Sequence, residues 1–206
     1  MRASGLRASP EDKTIVRLDT AFHLVKHFGT FPALYQEGEY LWRSRTLDVS
    51  PEGLLAVGYY LLPEVYVYDL RQADVPLVKV IELDHPAFMP VKNKIPINLS
   101  ISESKKVALG LSFIWHTYFV NDSTVVQTFH NRSEQFYESL SDKEMSFYAM
   151  IGTMSGASKG HVSLPGPIVG RDSRGRLYVR MIKDSDGQDL QIYKIGIYEV
   201  EWSAES

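Results

Sequence analysis

The stretch Thr46-Leu-Asp-Val-Ser-Pro-Glu-Gly-Leu-Leu-Ala-Val-Gly-Tyr-Tyr60, continued by Glu64-Val-Tyr-Val-Tyr-Asp-Leu70, decides the fold. Its centre, Ser50-Pro-Glu-Gly53, reads as a tight turn: a small polar side chain is placed to cap it, Pro and a charged residue follow, and then comes an apolar strand. On both sides lie short runs of β-branched, aromatic and other apolar residues, which suit a pleated, half-buried surface. Such runs, separated by turn residues, predict antiparallel strands rather than helices. Working outward, residues 42–49, 54–60, 64–70 and 77–83 read as four successive strands.

The same plan recurs along the chain. Ser9-Pro-Glu-Asp, Ser102-Glu-Ser-Lys and Asp172-Ser-Arg-Gly each start with a small polar side chain and precede an apolar run. A unit of about 40–50 residues carrying four strands has the arithmetic of a β-propeller blade. The third unit is then expected at 95–100, 107–114, 117–120 and 124–129, the last at 167–170, 176–182 and 190–202, and the first at 14–18 and 23–28. This gives a partial blade at 9–29, a blade at 41–83, a blade at 91–130, an insertion at 131–160 and a partial blade at 161–202. Within the insertion, 134–140 suits a short helix and 146–154 suits a strand, and periodicity does not choose between them. The expected fold is all-β: an incomplete propeller of four-stranded antiparallel blades in a single domain, with helix confined to the insertion. Open strand edges in such a chain invite self-association.

Composition narrows the function. Apolar residues make up 44% and charged residues 23% of 206, which fits a globular core and excludes a collagen-like or coiled-coil rod. The formal net charge is −3 with no long basic run, so no nucleic-acid footprint is visible. The absence of Cys excludes disulfides, thiolate metal sites and a cysteine nucleophile. No apolar run reaches the ~18 residues of a membrane-spanning helix, and the first residues lack the apolar stretch of an export leader.

The segments Phe28-Gly-Thr-Phe-Pro32, Arg45, Val49-Ser-Pro-Glu-Gly53 and Val65-Tyr-Val-Tyr-Asp-Leu70 resemble the TolB-like six-bladed propeller proteins of bacterial envelopes. In that family a blade commonly ends in Phe-Gly-x-x-Pro, and the next carries a Ser-Pro-Asp-Gly-like turn and a strand ending in Tyr-Asp-Leu. The resemblance is best over 24–83, with further support from Asp-Ser-Arg-Gly-Arg-Leu-Tyr-Val at 172–179. It implies propeller architecture and a periplasmic or envelope setting, and it is poor for function.

Several residues bear on chemistry. Arg43 and Arg45 stand two apart and so share a strand face; lining a propeller channel, paired guanidiniums suit a carboxylate or sugar acid. The plainer reading is solvation or a salt bridge to Asp48 or Glu39. The Pro-rich loops at 86–96 and 160–167 bring His85, Phe88, Met89 and His161 near the inner strands. His23 and His27 lie four apart on a strand, about 13 Å, too far to share a metal. Asp184-Ser-Asp-Gly-Gln-Asp189 carries the oxygen ligands of a calcium loop, but a hairpin turn with Asp-Gly at its tip is the preferred reading. Asn98, Asn121 and Asn131 begin glycosylation-type triplets attributable to chance. No local hydrolase, zinc-protease or phosphate-loop motif occurs.

Two functions follow. The first is a non-catalytic binding or scaffold propeller that recognises a small molecule, glycan or protein partner on its channel face, with no cofactor. The second is a lactonase-like propeller hydrolase with a cation at the channel mouth, drawing on Arg43, Arg45, His85, His161 and Asp172. In either case ligand contact is expected from Arg43, Arg45, His85, Phe88, His161 and Asp172. The expected face combines the loops entering the inner strands with the turns at 50–53, 102–105 and 172–175.

Overall fold

The computed structural model describes residues 13–36, 42–93, 95, 98–156, 159–181 and 194–200. Half of these, 50%, are in strands and 12% in helices. The strands form four antiparallel sheets, none of them closed. The first is the pair β1 (Lys13–Leu18) and β2 (Leu24–Thr30). After a short helix α1 (Ala33–Gln36), the second sheet is a four-stranded meander of β3 (Arg45–Val49), β4 (Leu54–Tyr59), β5 (Glu64–Asp69) and β6 (Leu77–Glu82). These strands lie where the turn-and-strand reading puts them. Gly53 takes φ +81°, and Ser50 Oγ accepts the Leu54 N–H at 3.2 Å, so the turn closes by the chemistry its residues supply.

The next unit departs from expectation. Residues 95–100 form no strand among those described, and 101–109 form α2 (Ile101–Leu109). Ser100 caps this helix: its Oγ accepts the Glu103 N–H at 3.3 Å while the Glu103 carboxylate accepts the Ser100 N–H at 2.8 Å. That reciprocal capping box makes Ser102-Glu-Ser-Lys a helical turn, not a strand-linking one. Gly110 ends the helix, so the apolar run 107–114 divides between a helix and a strand.

The third sheet is the meander of β7 (Phe113–Asn121), β8 (Thr124–Arg132), β9 (Met145–Thr153) and β10 (Lys159–Leu164). The end of run 107–114 and run 117–120 therefore merge into one strand. The stretch read as an insertion at 131–160 contributes strand β9 and the start of β10 to the sheet, with the short helix α3 (Phe136–Ser139) in the β8–β9 connection. The last sheet is β11 (Ile168–Arg171), β12 (Leu177–Met181) and β13 (Lys194–Tyr198). The acidic hairpin at 184–189 falls outside the described residues.

Each pair of successive sheets shares an apolar layer. Leu55, Val57 and Tyr59 of β4 point into one cluster with Ile15, Phe28, Tyr35 and Phe113. The alternate residue Ala56, with Val65, Val67 and Ile81, packs against Ile114, Phe119, Phe129 and Met150 of the third sheet. Val126 and Ala149 then meet Ile168, Leu177 and Val179 of the last. Strands β4 and β8 are thus buried on both faces; β4 reads as a continuous apolar run for this reason, whereas β8 also buries the polar side chains of Thr124, Gln127, Thr128 and His130. Where β4 approaches β7 closest there is room only for Gly58, since a Cβ there would lie 2.2 Å from Thr117 Oγ1.

The first strands of three sheets meet at one carboxylate. Asp48 on β3 accepts the Phe119 N–H of β7 at 2.8 Å and is paired with the Arg171 guanidinium of β11 at 2.8 and 3.2 Å. The pair is mostly shielded, with side-chain exposures of 20% and 18%. Arg171, not Arg43 or Arg45, is therefore the partner of Asp48.

Candidate functional site

A strand has two ends, and they separate what the sequence reading combined. The turns at 50–53 and 172–175 leave the first strands β3 and β11, whereas the loops before Arg45 and Phe113 enter β3 and β7. Because the two sets lie at opposite ends of these strands, they do not share a face, and 102–105 is helical. At the leaving end the turns pack on one another: Glu52 N–H donates to Asp122 at 3.1 Å, and Gly175, at φ +78°, sits where a Cβ would be 1.8 Å from the Val120 carbonyl oxygen. Asp172 belongs to that end. Burial opposes its charge, but the Arg176 guanidinium and the backbone N–H groups of Arg176 and Arg174, with the Tyr178 hydroxyl, hold its carboxyl down to about 2. Its oxygens are committed to its own turn.

The entering end gathers the remaining expected residues in two places. Arg43 and Arg45 line a groove of about 420 Å³ with Thr14, Ile15, Val16 and Leu47, between the edges of β1 and β3. Arg45 donates to the Thr14 carbonyl, and its guanidinium lies 5.5 Å from the centre of the Phe31 ring. His85, Phe88 and His161 come together elsewhere. The His85 ring centre is 4.8 Å from those of His161 and Tyr148 and 5.2 Å from that of Phe129, which Phe88 also meets at 5.2 Å. The loop carrying His85 is pinned by Ser112 Oγ, which accepts the Met89 N–H at 2.8 Å, and by Asn131, whose amide donates to the Ala87 carbonyl at 2.9 Å. Burial and the neighbouring His161 lower the His85 pKa.

The protonation of His85 limits its chemistry. Its Nδ1 accepts the Ala87 N–H at 2.9 Å, so in the neutral ring the proton sits on Nε2, which is buried without a partner. A metal-ligating histidine has the opposite arrangement, donating its second N–H and offering the free lone pair to the ion. Among the described residues no three His, Asp or Glu side chains are grouped to hold a metal.

A third cluster at this end was not found from sequence. Arg132 closes β8, and its guanidinium carbon lies 4.5 Å from the centre of Phe113, 5.1 Å from Phe136 and 6.0 Å from Tyr137. It donates to His130 Nε2 at 3.3 Å and to the hydroxyls of Tyr137 and Tyr60 at 3.4 Å. Trp42 and Tyr60 each stand 5.1 Å from the Phe113 ring, and Lys105 of α2 lies 5.6 Å from the centre of the Tyr137 ring. His130 is fully buried, and burial together with the Arg132 charge lowers its pKa to about 3. The contributing residues are spread from 42 to 137, and the only local signal, Asn131-Arg-Ser, reads as a chance triplet. Asn131 is in fact structural, accepting the Ser112 hydroxyl at 2.6 Å.

The class these observations define is a β-rich chain of stacked antiparallel meander sheets with a cationic and aromatic end. No protein-family model, curated protein or solved structure matches it. No helix among the described residues is long and apolar enough to cross a membrane.

Proposed function

We propose that the chain is a non-catalytic binding or scaffold module of TolB-like propeller design, recognising a small molecule, glycan or protein partner at the end where the chain enters β3 and β7. The observation that carries this reading is the meeting of β3, β7 and β11 at Asp48. Each is the first strand of its own sheet, and blades set around an axis bring their first strands together in this way. Such a scaffold holds strand ends and their loops rigidly, and here they present guanidiniums and aromatic rings, groups that bind without reacting. The hydrolase reading draws less support, because Asp172 sits at the opposite end and His85 directs an N–H, not a lone pair, from its remaining nitrogen. Metal analysis of the purified protein combined with an esterase and lactonase screen tests the proposal. We expect no turnover; a stoichiometric cation accompanied by turnover overturns it.

A further inference from the structure

We propose that Arg132, Tyr60 and Tyr137 form a binding site for a small carboxylate carried on a flat ring. This rests on the reading of the chain as a binding module and names the ligand class of its entering end.

Other guanidiniums of this protein fall into two groups: Arg17 and Arg45 donate to the backbone carbonyls of Leu70 and Thr14, while others face a carboxylate. Arg71, Arg171 and Arg176 each meet an aspartate, Asp69, Asp48 and Asp172 respectively, at 2.7–2.8 Å. Arg132 is half-buried, yet its partners among the described residues are all neutral and stand at 3.3–3.4 Å, the weak end of the hydrogen-bond range. Glu134 and Glu138 lie on the same connection but are exposed and make no ion pair with it. A guanidinium carries five N–H donors, and these bonds use three. Taking a cation partly out of water without a counter-charge is costly, and an arriving carboxylate offsets that cost.

The two phenols add to the match. Each hydroxyl oxygen accepts from Arg132, which leaves its own O–H free to donate. Burial raises the Tyr60 pKa, so that proton stays in place at neutral pH. The constellation therefore offers N–H and O–H donors and no ionised acceptor, the pattern an oxyanion requires. Lys105 adds a second positive charge at the rim. The rings of Phe136, Tyr137 and Trp42 surround the site and are each partly exposed, an apolar setting that favours a ring carboxylate over a bare inorganic anion.

The test uses the full chain labelled with ¹⁵N and titrated separately with benzoate, benzamide and inorganic phosphate. The arginine Nε–H resonances and the fluorescence of Trp42 and Trp115 are followed. Benzoate is expected to shift the Arg132 resonance saturably, with benzamide and phosphate each about tenfold weaker or more. Arg132→Gln should abolish the benzoate response, and Tyr137→Phe, which keeps the ring, should weaken it by about threefold or more. Equal binding of benzoate and benzamide, or benzoate binding unchanged in Tyr137→Phe, overturns the site. Preference for phosphate overturns the ring-carboxylate assignment. Hydrolytic turnover would instead sink the binding-module reading, so the two failures are told apart.

Discussion

Acid should unfold this protein partly through a single buried ring. His130 is fully buried, with its ring 4.9 Å from Trp115 and 5.7 Å from Phe113. Its pKa falls from 6.5 to about 3, chiefly through burial and secondly through the Arg132 charge. The folded chain resists protonation here while the unfolded chain accepts it. The stability this group supplies is therefore complete above its unfolded value of 6.5 and drains away as the pH falls from there towards about 3. Each pH unit inside that window removes about 1.4 kcal/mol, so moving from about pH 7.5 to about pH 5 removes about 2 kcal/mol through His130 alone. His85 and His116 are also lowered by burial and act in the same direction, so the informative quantity is a difference. Urea unfolding at both pH values, for the native chain and for His130→Gln, supplies it. The variant is less stable at the higher pH because it loses ring packing, but its pH dependence should be shallower by about 2 kcal/mol. If the two proteins lose the same stability between those pH values, the reasoning about His130 is refuted.

Other perturbations probe the scaffold. Asp48→Ala should cost about 2–3 kcal/mol in urea unfolding, and adding Arg171→Ala should cost less than Arg171→Ala does alone, because both remove the Asp48–Arg171 ion pair; fully additive losses would contradict the shared tie. Gly58→Ala should cost about 3 kcal/mol, since its Cβ falls 2.2 Å from Thr117 Oγ1, and a melting temperature equal to the native protein's would count against that close approach. Ser100→Ala should remove about 1 kcal/mol of support for α2, read as faster amide exchange across 101–109, and unchanged exchange there would argue against the capping role. Leu47 and Val49 on β3 are 54% and 45% exposed, and Ile195 and Ile197 on β13 are 50% and 57% exposed, so light scattering during size-exclusion chromatography should show concentration-dependent self-association. A stable 23.4 kDa monomer at high concentration would contradict it.

What was legible in the sequence was local. The second sheet could be read because its turn, Ser50-Pro-Glu-Gly53, and its strands specify one another within a few residues. The third was misread because Ser102-Glu-Ser-Lys has the polar, charged look of that turn, while Ser100-Ile-Ser-Glu103 spells a capping box two residues earlier. Once α2 is recognised, the strand order moves along by one step, and β9 and the start of β10 fall within 131–160. The joining of His85 to His161 followed only in outline, from loops expected to approach the same strands. The Arg132 cluster was beyond local reading, because Tyr60, Phe113, Arg132 and Tyr137 are ordinary core or surface residues until the sheets stack. Asp172 carried two readings for a related reason: a carboxylate that caps its own turn, as this one does, is spelled like one that waits for a ligand.

The Asp48 junction also bears on the order in which the molecule can become stable. The two groups that meet its carboxylate, the Phe119 N–H and the Arg171 guanidinium, lie 71 and 123 residues along the chain, so the first bond is available once β7 exists, and the ion pair only when β11 has been made. A ribosome-bound chain ending before Arg171 would carry a carboxylate that still lacks its cation. The second sheet, though its strands are contiguous and its turns are local, then matures in two stages, and the later one is controlled by the last sheet to be synthesised. A protease cut between β10 and β11 that let the last sheet dissociate would loosen β3 as well, although the cut falls far from it in sequence.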